Sequence, residues 1–262
     1  MNNIPDQLGR TLSFQDSPQR IVSLVPSLTE LIVDLGLEEK LVGLTKFCVH
    51  PAHLRKEKKI VGGTKKVNFE KIRALRPEII LCNKEENTPE MVQELENIAP
   101  VHVSDIRNIE DTLTLIGQYA EIFEAEAKAG ELISGILEGL LDFQEQVKDL
   151  PIKKVAYFIW KDPWMVAGGD TFIDHLLKLN KYQNVYDQEK GRYPEVDLQS
   201  LKEKGVELLL LSSEPYPFNE NHRVKLRQSC ECQIKLVDGE YFSWYGSRLI
   251  AAFSYFKSLR AS

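Results

Sequence analysis

A chain of 262 residues with 43% hydrophobic side chains can build two compact lobes or one large domain around real apolar cores. The net charge of −6, with its basic residues scattered, excludes nonspecific attachment to nucleic acid or to an anionic membrane surface. No run approaches the ~18–20 apolar residues of a membrane span, and the longest, such as Glu207 to Leu211, has the length of a strand.

In chain order, the opening segment MNNIPDQLGRTLSFQDSPQR lacks a basic patch, an apolar run and a small-residue cleavage site. As given it is not a secretory signal, and the chain reads as cytoplasmic. Ile21 to Val25 is rich in β-branched residues and predicts a strand. Pro26-Ser27 breaks it, and Ser27 or Thr29 offers a cap. Leu28, Leu31, Ile32 and Leu35 then recur at helical spacing up to Gly36. Leu41 to Leu44 is a second strand. The segment GLTKFCVHPAHL follows, Gly43 to Leu54, with Phe47, Cys48, His50 and His53 close together. Asn68 caps a helix carrying Phe69, Ile72 and Leu75, Arg76-Pro77 ends it, and Glu78 to Cys82 is a buried strand. A helix over 88–99 and a strand over 101–103 continue the rhythm of a parallel sheet with helices packed on it.

From about Asn108 to Leu150 there is no strand signal. Residues 109–123 form one amphipathic helix, and 124–150 read as a long, mostly exposed helix ended by Pro151. Strands at 154–160, 207–211 and 234–237 then alternate with helices at 172–179, 198–204 and 247–259. NFEKIRALRPEIILC from Asn68 lies without gaps on DLQSLKEKGVELLLL from Asp197, each a capped helix running into a buried strand. The expected class is α/β, with an N-terminal lobe over 1–123, a bridging helix over 124–150 and a C-terminal lobe over 151–262.

Two α/β lobes place a ligand cleft between them, with binding groups just past the carboxyl ends of strands. Pro26, Ser27 and Leu28 follow the first strand; Lys46, Phe47, Cys48, Val49 and His50 follow the second. Asn83 to Glu86 follow the strand at Glu78. All three tryptophans, Trp160, Trp164 and Trp244, fall on such ends with several tyrosines and phenylalanines. Aromatics on loops suit a flat, partly apolar ligand, or they plug the lobe interface. No phosphate-binding loop is present: Gly62-Gly63 and Gly168-Gly169 lack the lysine and the dinucleotide spacing. His50-x-x-His53 lacks a zinc-protease glutamate, and Pro51 opposes a helix through both. His102 reads as core or half-buried; His175, on a helix, and His222, in a polar loop, read as structural or solvent-facing. The four cysteines, Cys48, Cys82, Cys230 and Cys232, are irregularly spaced and fit a reducing compartment better than a disulfide scaffold.

RIVSLVPSLTELIVDLG followed by GGTKKVNFEKIRALRPEIIL resembles the N-lobe signature of class III periplasmic substrate-binding proteins of ABC importers, the helical-backbone metal receptors. GRYPEVDLQSL and DGEYFSWYGSRLI resemble C-lobe segments of the vitamin B12-binding members. The resemblance runs from about Arg20 to the C-terminus. It implies two Rossmann-like lobes bridged by one long helix, with a corrinoid or other metal chelate in the interlobe cleft. It implies no catalysis and no required cofactor: a corrinoid, haem or ferric chelate would be the ligand. By motif position it assigns ligand-binding roles to Phe47 or His50, Tyr193 and Arg248. Lys65 and Asn83 fall where members have pocket tryptophans. Together with the strand-end aromatics, the expected ligand-binding set is Phe47, His50, Lys65, Asn83, Trp160, Trp164, Tyr193, Phe242, Trp244 and Arg248. No resident metal site is assigned.

The family docks on its permease through one glutamate per lobe. Glu70 fills the N-lobe position, while Gln199 stands at the C-lobe position and Glu195 could substitute. The family resemblance implies a periplasmic location, against the cytoplasmic reading of the N-terminus. Three alternatives stay open: a haem or ferric-siderophore binder, a free zinc or manganese binder, and a tetrapyrrole chelatase-like enzyme using His50 with Glu85 or Glu86. The segment around Cys48 and His50 is a pocket lip, with His50 available as an axial ligand, an autonomous Cys48–His50–His53 metal site, or a structural loop.

Overall fold

Two parallel sheets organise the computed structural model, which describes residues 2–227 and 230–261. The chain opens with an antiparallel hairpin, β1 (Asn2–Pro5) on β2 (Thr11–Phe14). The Asp6 carboxylate closes its turn by accepting the backbone N–H groups of Leu8 and Arg10, both at 2.9 Å. Sequence periodicity passes over this hairpin because Ile4 and Leu12 supply its buried face between polar neighbours.

The first large sheet holds β3 (Ile21–Ser23), β4 (Leu41–Leu44), β5 (Lys59–Ile60), β6 (Ile79–Asn83) and β7 (Val101–Ser104). All pairings are parallel, in the order β5-β4-β3-β6-β7. The first of these strands is central, so the chain winds to one edge and then the other. The helices are α1 (Pro26–Asp34), α2 (Leu54–Glu57), α3 (Phe69–Ala74), α4 (Pro89–Glu96) and α5 (Ile109–Phe123). The expected cap at Asn68 forms, its side chain accepting the Lys71 N–H, and Asn108 caps α5 in the same way by accepting the Asp111 N–H. Helix α1 has no side-chain cap. Val25 is its N-cap residue and Pro26 its first residue, so Ser27 and Thr29 lie inside the helix and are buried.

Helix α6 (Glu126–Val147) leads to the second sheet and buries Ala129, Ile136, Phe143 and Val147. There β8 (Lys153–Trp160) carries β9 (Met165–Val166) antiparallel; α7 (Phe172–Leu179), β10 (Tyr182–Asn184), α8 (Ser200–Glu203), β11 (Leu208–Ser212), α9 (Glu220–Leu226), β12 (Gln233–Val237), α10 (Glu240–Ser243) and α11 (Leu249–Ala261) follow. The parallel order is β10-β8-β11-β12, again with the first strand internal. Strand β11 reads LLLLS and is buried throughout, as a strand covered on both faces requires. The aligned segments at Asn68 and Asp197 fold into α3–β6 and α8–β11, each ending in an internal strand.

The chain divides into two compact units. One contains residues up to Leu137 together with Trp244–Leu249; the other contains Glu138–Ser243 together with the residues from Ile250 onward. The first core gathers Val22, Leu24, Ile72, Ile80 and Leu95, the second Ala156, Phe158, Leu201, Leu209 and Leu211. The return of Trp244–Leu249 to the first unit leaves no mark in local periodicity. Cys230 and Cys232 form a disulfide with Cα atoms 5.3 Å apart, which corrects the reading of these cysteines as thiols. Cys48 and Cys82 are free and buried.

Candidate functional site

In the first unit, β3 is the strand from which the sheet winds both ways, and the loops past its carboxyl end are where such sheets bind ligands. Because Pro26 starts α1 directly after β3, Glu30 sits one turn from that edge. Arg248 closes a bidentate pair on it, Nε donating to Oε2 at 2.8 Å and Nη2 to Oε1 at 2.5 Å. The two side chains are 11% and 17% exposed. Removal from water pushes the Glu30 carboxyl above its ordinary pKa, against the opposing pull of Arg248.

The Arg248 guanidinium also lies 4.6 Å from the centroid of the Trp244 ring. His50 meets the same indole edge-on at 5.5 Å. Glu30, His50, Trp244 and Arg248 therefore form one contiguous group. Tyr245 anchors the returning segment through its hydroxyl, 3.3 Å from Ser104 Oγ at the end of β7.

The segment around Cys48 splits three ways. Cys48 points inward, accepting from Thr29 Oγ1 at 3.1 Å and lying 3.2 Å from Thr45 Oγ1. Burial pushes its thiol above the ordinary value. His50 turns to Trp244, and His53 Nε2 lies 2.7 Å from Glu38 Oε1. These separate engagements overturn a joint Cys48–His50–His53 metal site. Phe47 is 49% exposed beneath the Lys46 ammonium, 4.9 Å from its ring centroid.

Lys65 donates its ammonium to the Glu85 carbonyl. Beside it, the carboxyl of half-buried Glu86 is raised by desolvation, opposed by Lys65. Asn83 corrects its expected ligand role. It is buried, its amide oxygen accepts the Glu85 N–H at 2.8 Å, and its nitrogen donates to the Ser104 carbonyl at 3.1 Å. The oxygen closes the turn after β6, and the nitrogen ties that turn to the end of β7. Glu30 is the residue that sequence reasoning missed. Its signal is a carboxylate set between buried Thr29 and Leu31 in the helix directly after a central strand.

The second unit has an aromatic shelf past the ends of β8 and β11. Trp160, 39% exposed, meets Tyr216 edge-on at 5.6 Å. Tyr216 contacts Phe218 at 4.8 Å, and Phe218 stacks on Trp164 at 6.1 Å. His222 lies in α9 and packs on both Tyr216 and Phe218, which corrects its reading as a polar-loop residue. Burial, and then the cations of Lys161 and Lys225, hold its imidazole below the ordinary pKa. Tyr193 is half-buried in the loop before α8. Phe242 is fully buried against Tyr157 and Phe256, with centroids 5.0 and 4.8 Å away, so it is a core residue instead of a pocket wall. Glu70 on α3 is exposed, 3.9 Å from Arg73, and Glu195 and Gln199 are also exposed.

Residues 21–228 match the family described as Periplasmic binding protein, and the chain belongs to that family. Its members are binding components of transport, not enzymes, so the chelatase-like alternative is set aside. The uncharacterized ABC transporter substrate-binding lipoprotein YvrC of Bacillus subtilis (strain 168) is 29% identical over 196 residues, covering 72% of this chain and 62% of the relative. A vitamin B12-binding protein of Vibrio vulnificus (strain YJ016) is 24% identical over 216 residues, covering 80% of this chain and 77% of the relative. The periplasmic vitamin B12 binding protein BtuF of Vibrio cholerae superposes with a TM-score of 0.79 at 18% identity, covering 94% of this chain and 97% of that one. A periplasmic heme binding protein from Pseudomonas aeruginosa gives 0.80 at 21% identity, with 92% of each chain covered. At these identities the superpositions speak to the fold. Among the described residues no helix is long and apolar enough to cross a membrane.

Proposed function

We propose that this protein is the substrate-binding component of an ABC importer and carries a corrinoid or similar metal chelate. The observation that carries the reading is the Trp244 group: an indole flanked by His50 and by an Arg248 already neutralised by Glu30, at the edge of the switch strand. The indole is 5% exposed and so backs the site, holding Arg248 and the half-buried His50 imidazole, which suits the open position of a cobalt or iron centre. Phe47 and Lys65 extend this surface in the first unit; Trp160, Trp164 and Tyr193 supply the aromatic surface of the second. Glu70 and Glu195 are the proposed contacts to permease arginines, Glu195 standing in for Gln199.

Tryptophan fluorescence during titration with a corrinoid, corrected for inner-filter absorption, tests the ligand class. Saturable one-to-one quenching is expected, with haem and a ferric siderophore as comparisons. Trp244→Ala should weaken binding by about thirtyfold, roughly 2 kcal/mol, by releasing His50 and Arg248 from the ring that positions them. Stronger saturable binding of haem or the siderophore would reassign the ligand, and no response to any of the three would remove the chelate reading.

A further inference from the structure

Glu38, His53 and Glu57 form a group that chelate binding does not use. Glu38 lies on the 3-10 turn just ahead of β4. His53 is the N-cap residue of α2 and Glu57 is the last residue of that helix. A spacing of four residues puts both side chains on one helical face, the arrangement by which helices present paired metal ligands. His53 Nε2 lies 2.7 Å from Glu38 Oε1, and one ligand atom from each residue falls within 4.8 Å of the other two.

The backbones that hold these side chains are fixed by other means. Lys58 Nζ donates to the Glu38 carbonyl at 2.9 Å, tying the turn to the end of α2. The Lys58 N–H closes the helix on the Leu54 carbonyl at 2.8 Å, and Leu54 and Leu41 are buried anchors on either side. Such fixing lowers the ordering cost of bringing three ligands to one ion. Part exposure, 46% for His53 and 30% for Glu38, leaves room for water to complete the coordination shell.

We propose that Glu38, His53 and Glu57 bind a divalent transition-metal cation, with Zn²⁺ as the best-matched probe. One imidazole and two carboxylates with open positions suit zinc. Ca²⁺ needs six to eight oxygens and Mg²⁺ a near-ideal octahedron, neither of which this set supplies. A bound ion would tie the turn before β4 to the helix after it, bracketing the loop that carries Phe47 and His50.

Isothermal titration of the tag-free full chain with Zn²⁺, in the absence of any chelate, should show one saturable site that Mg²⁺ does not occupy. His53→Gln and Glu57→Gln should each weaken it at least about tenfold, since even residues supporting metal ligands cost that much. X-ray absorption at the zinc edge of the unmutated protein should show one imidazole among oxygen donors, which decides the matter even if a variant misfolds. Absence of saturable binding, variants binding as tightly as the parent, or sulfur scattering from Cys48 or Cys82 would each overturn the proposal.

Discussion

At the scale of single residues, two buried titratable groups make opposite demands. Glu30 and Arg248 form a bidentate pair, so Glu30→Ala removes the carboxylate partner of a guanidinium that is 11% exposed. The expected cost is roughly 3 kcal/mol, read as a lower urea midpoint at unchanged slope. His102 is fully buried at the start of the β7 pairing, and burial lowers its pKa from 6.5 to about 4. The unfolded chain therefore binds a proton that the folded chain refuses between those values. This contribution is fully present above pH 6.5 and is lost as pH falls toward about 4, a span worth roughly 3 kcal/mol at 1.36 kcal/mol per unit. Urea midpoints taken across that window should fall with acid in the parent and fall less in His102→Leu. The sequence already placed His102 inward by strand alternation. Glu30 it did not, because nothing local to α1 announces a partner 218 positions away.

Individual elements depend on backbone fittings that substitutions can isolate. Thr171 begins α7: its hydroxyl accepts the Asp174 N–H at 3.0 Å and donates to the Gly168 carbonyl at 3.0 Å, out of water. Thr171→Ala should cost about 1–2 kcal/mol, while Thr171→Ser should recover most of it. Gly62, just past β5, has φ +142°, and a Cβ there would stand 2.6 Å from the Lys66 carbonyl oxygen and 2.7 Å from Val67 Cα. Backbone cannot yield as a side-chain tip does, so Gly62→Ala should destabilise by roughly 2 kcal/mol or more in thermal or urea unfolding. Longer elements were legible from the chain: the helix at Ile109–Phe123 was located to the residue, and β4 likewise. Short ones were not. The hairpin β1–β2, the strands β9 and β10, and the four-residue helix α2 carry too few periodic positions to rise above their neighbours.

For the whole molecule, a ligand that binds only the folded state should raise stability by about 2.7 kcal/mol at one hundred times its dissociation constant. Calorimetry with and without a corrinoid measures this, and Trp244→Ala should abolish most of the shift at equal ligand concentration. The sequence by itself determined the α/β class, the order of the long elements and the family. Those follow from hydrophobic period, caps and breakers, each written within a few residues of where it acts. Only the tertiary structure decided which strand-end residues keep company. It moved Trp244–Leu249 into the first unit, turned His50 toward Trp244 and His53 toward Glu38, drew Phe242 into a core and gave Asn83 to loop bracing. Each depends on contacts between segments far apart in the chain. A side chain's role there is fixed by which neighbour supplies the missing hydrogen bond or apolar wall, and no local pattern encodes that neighbour.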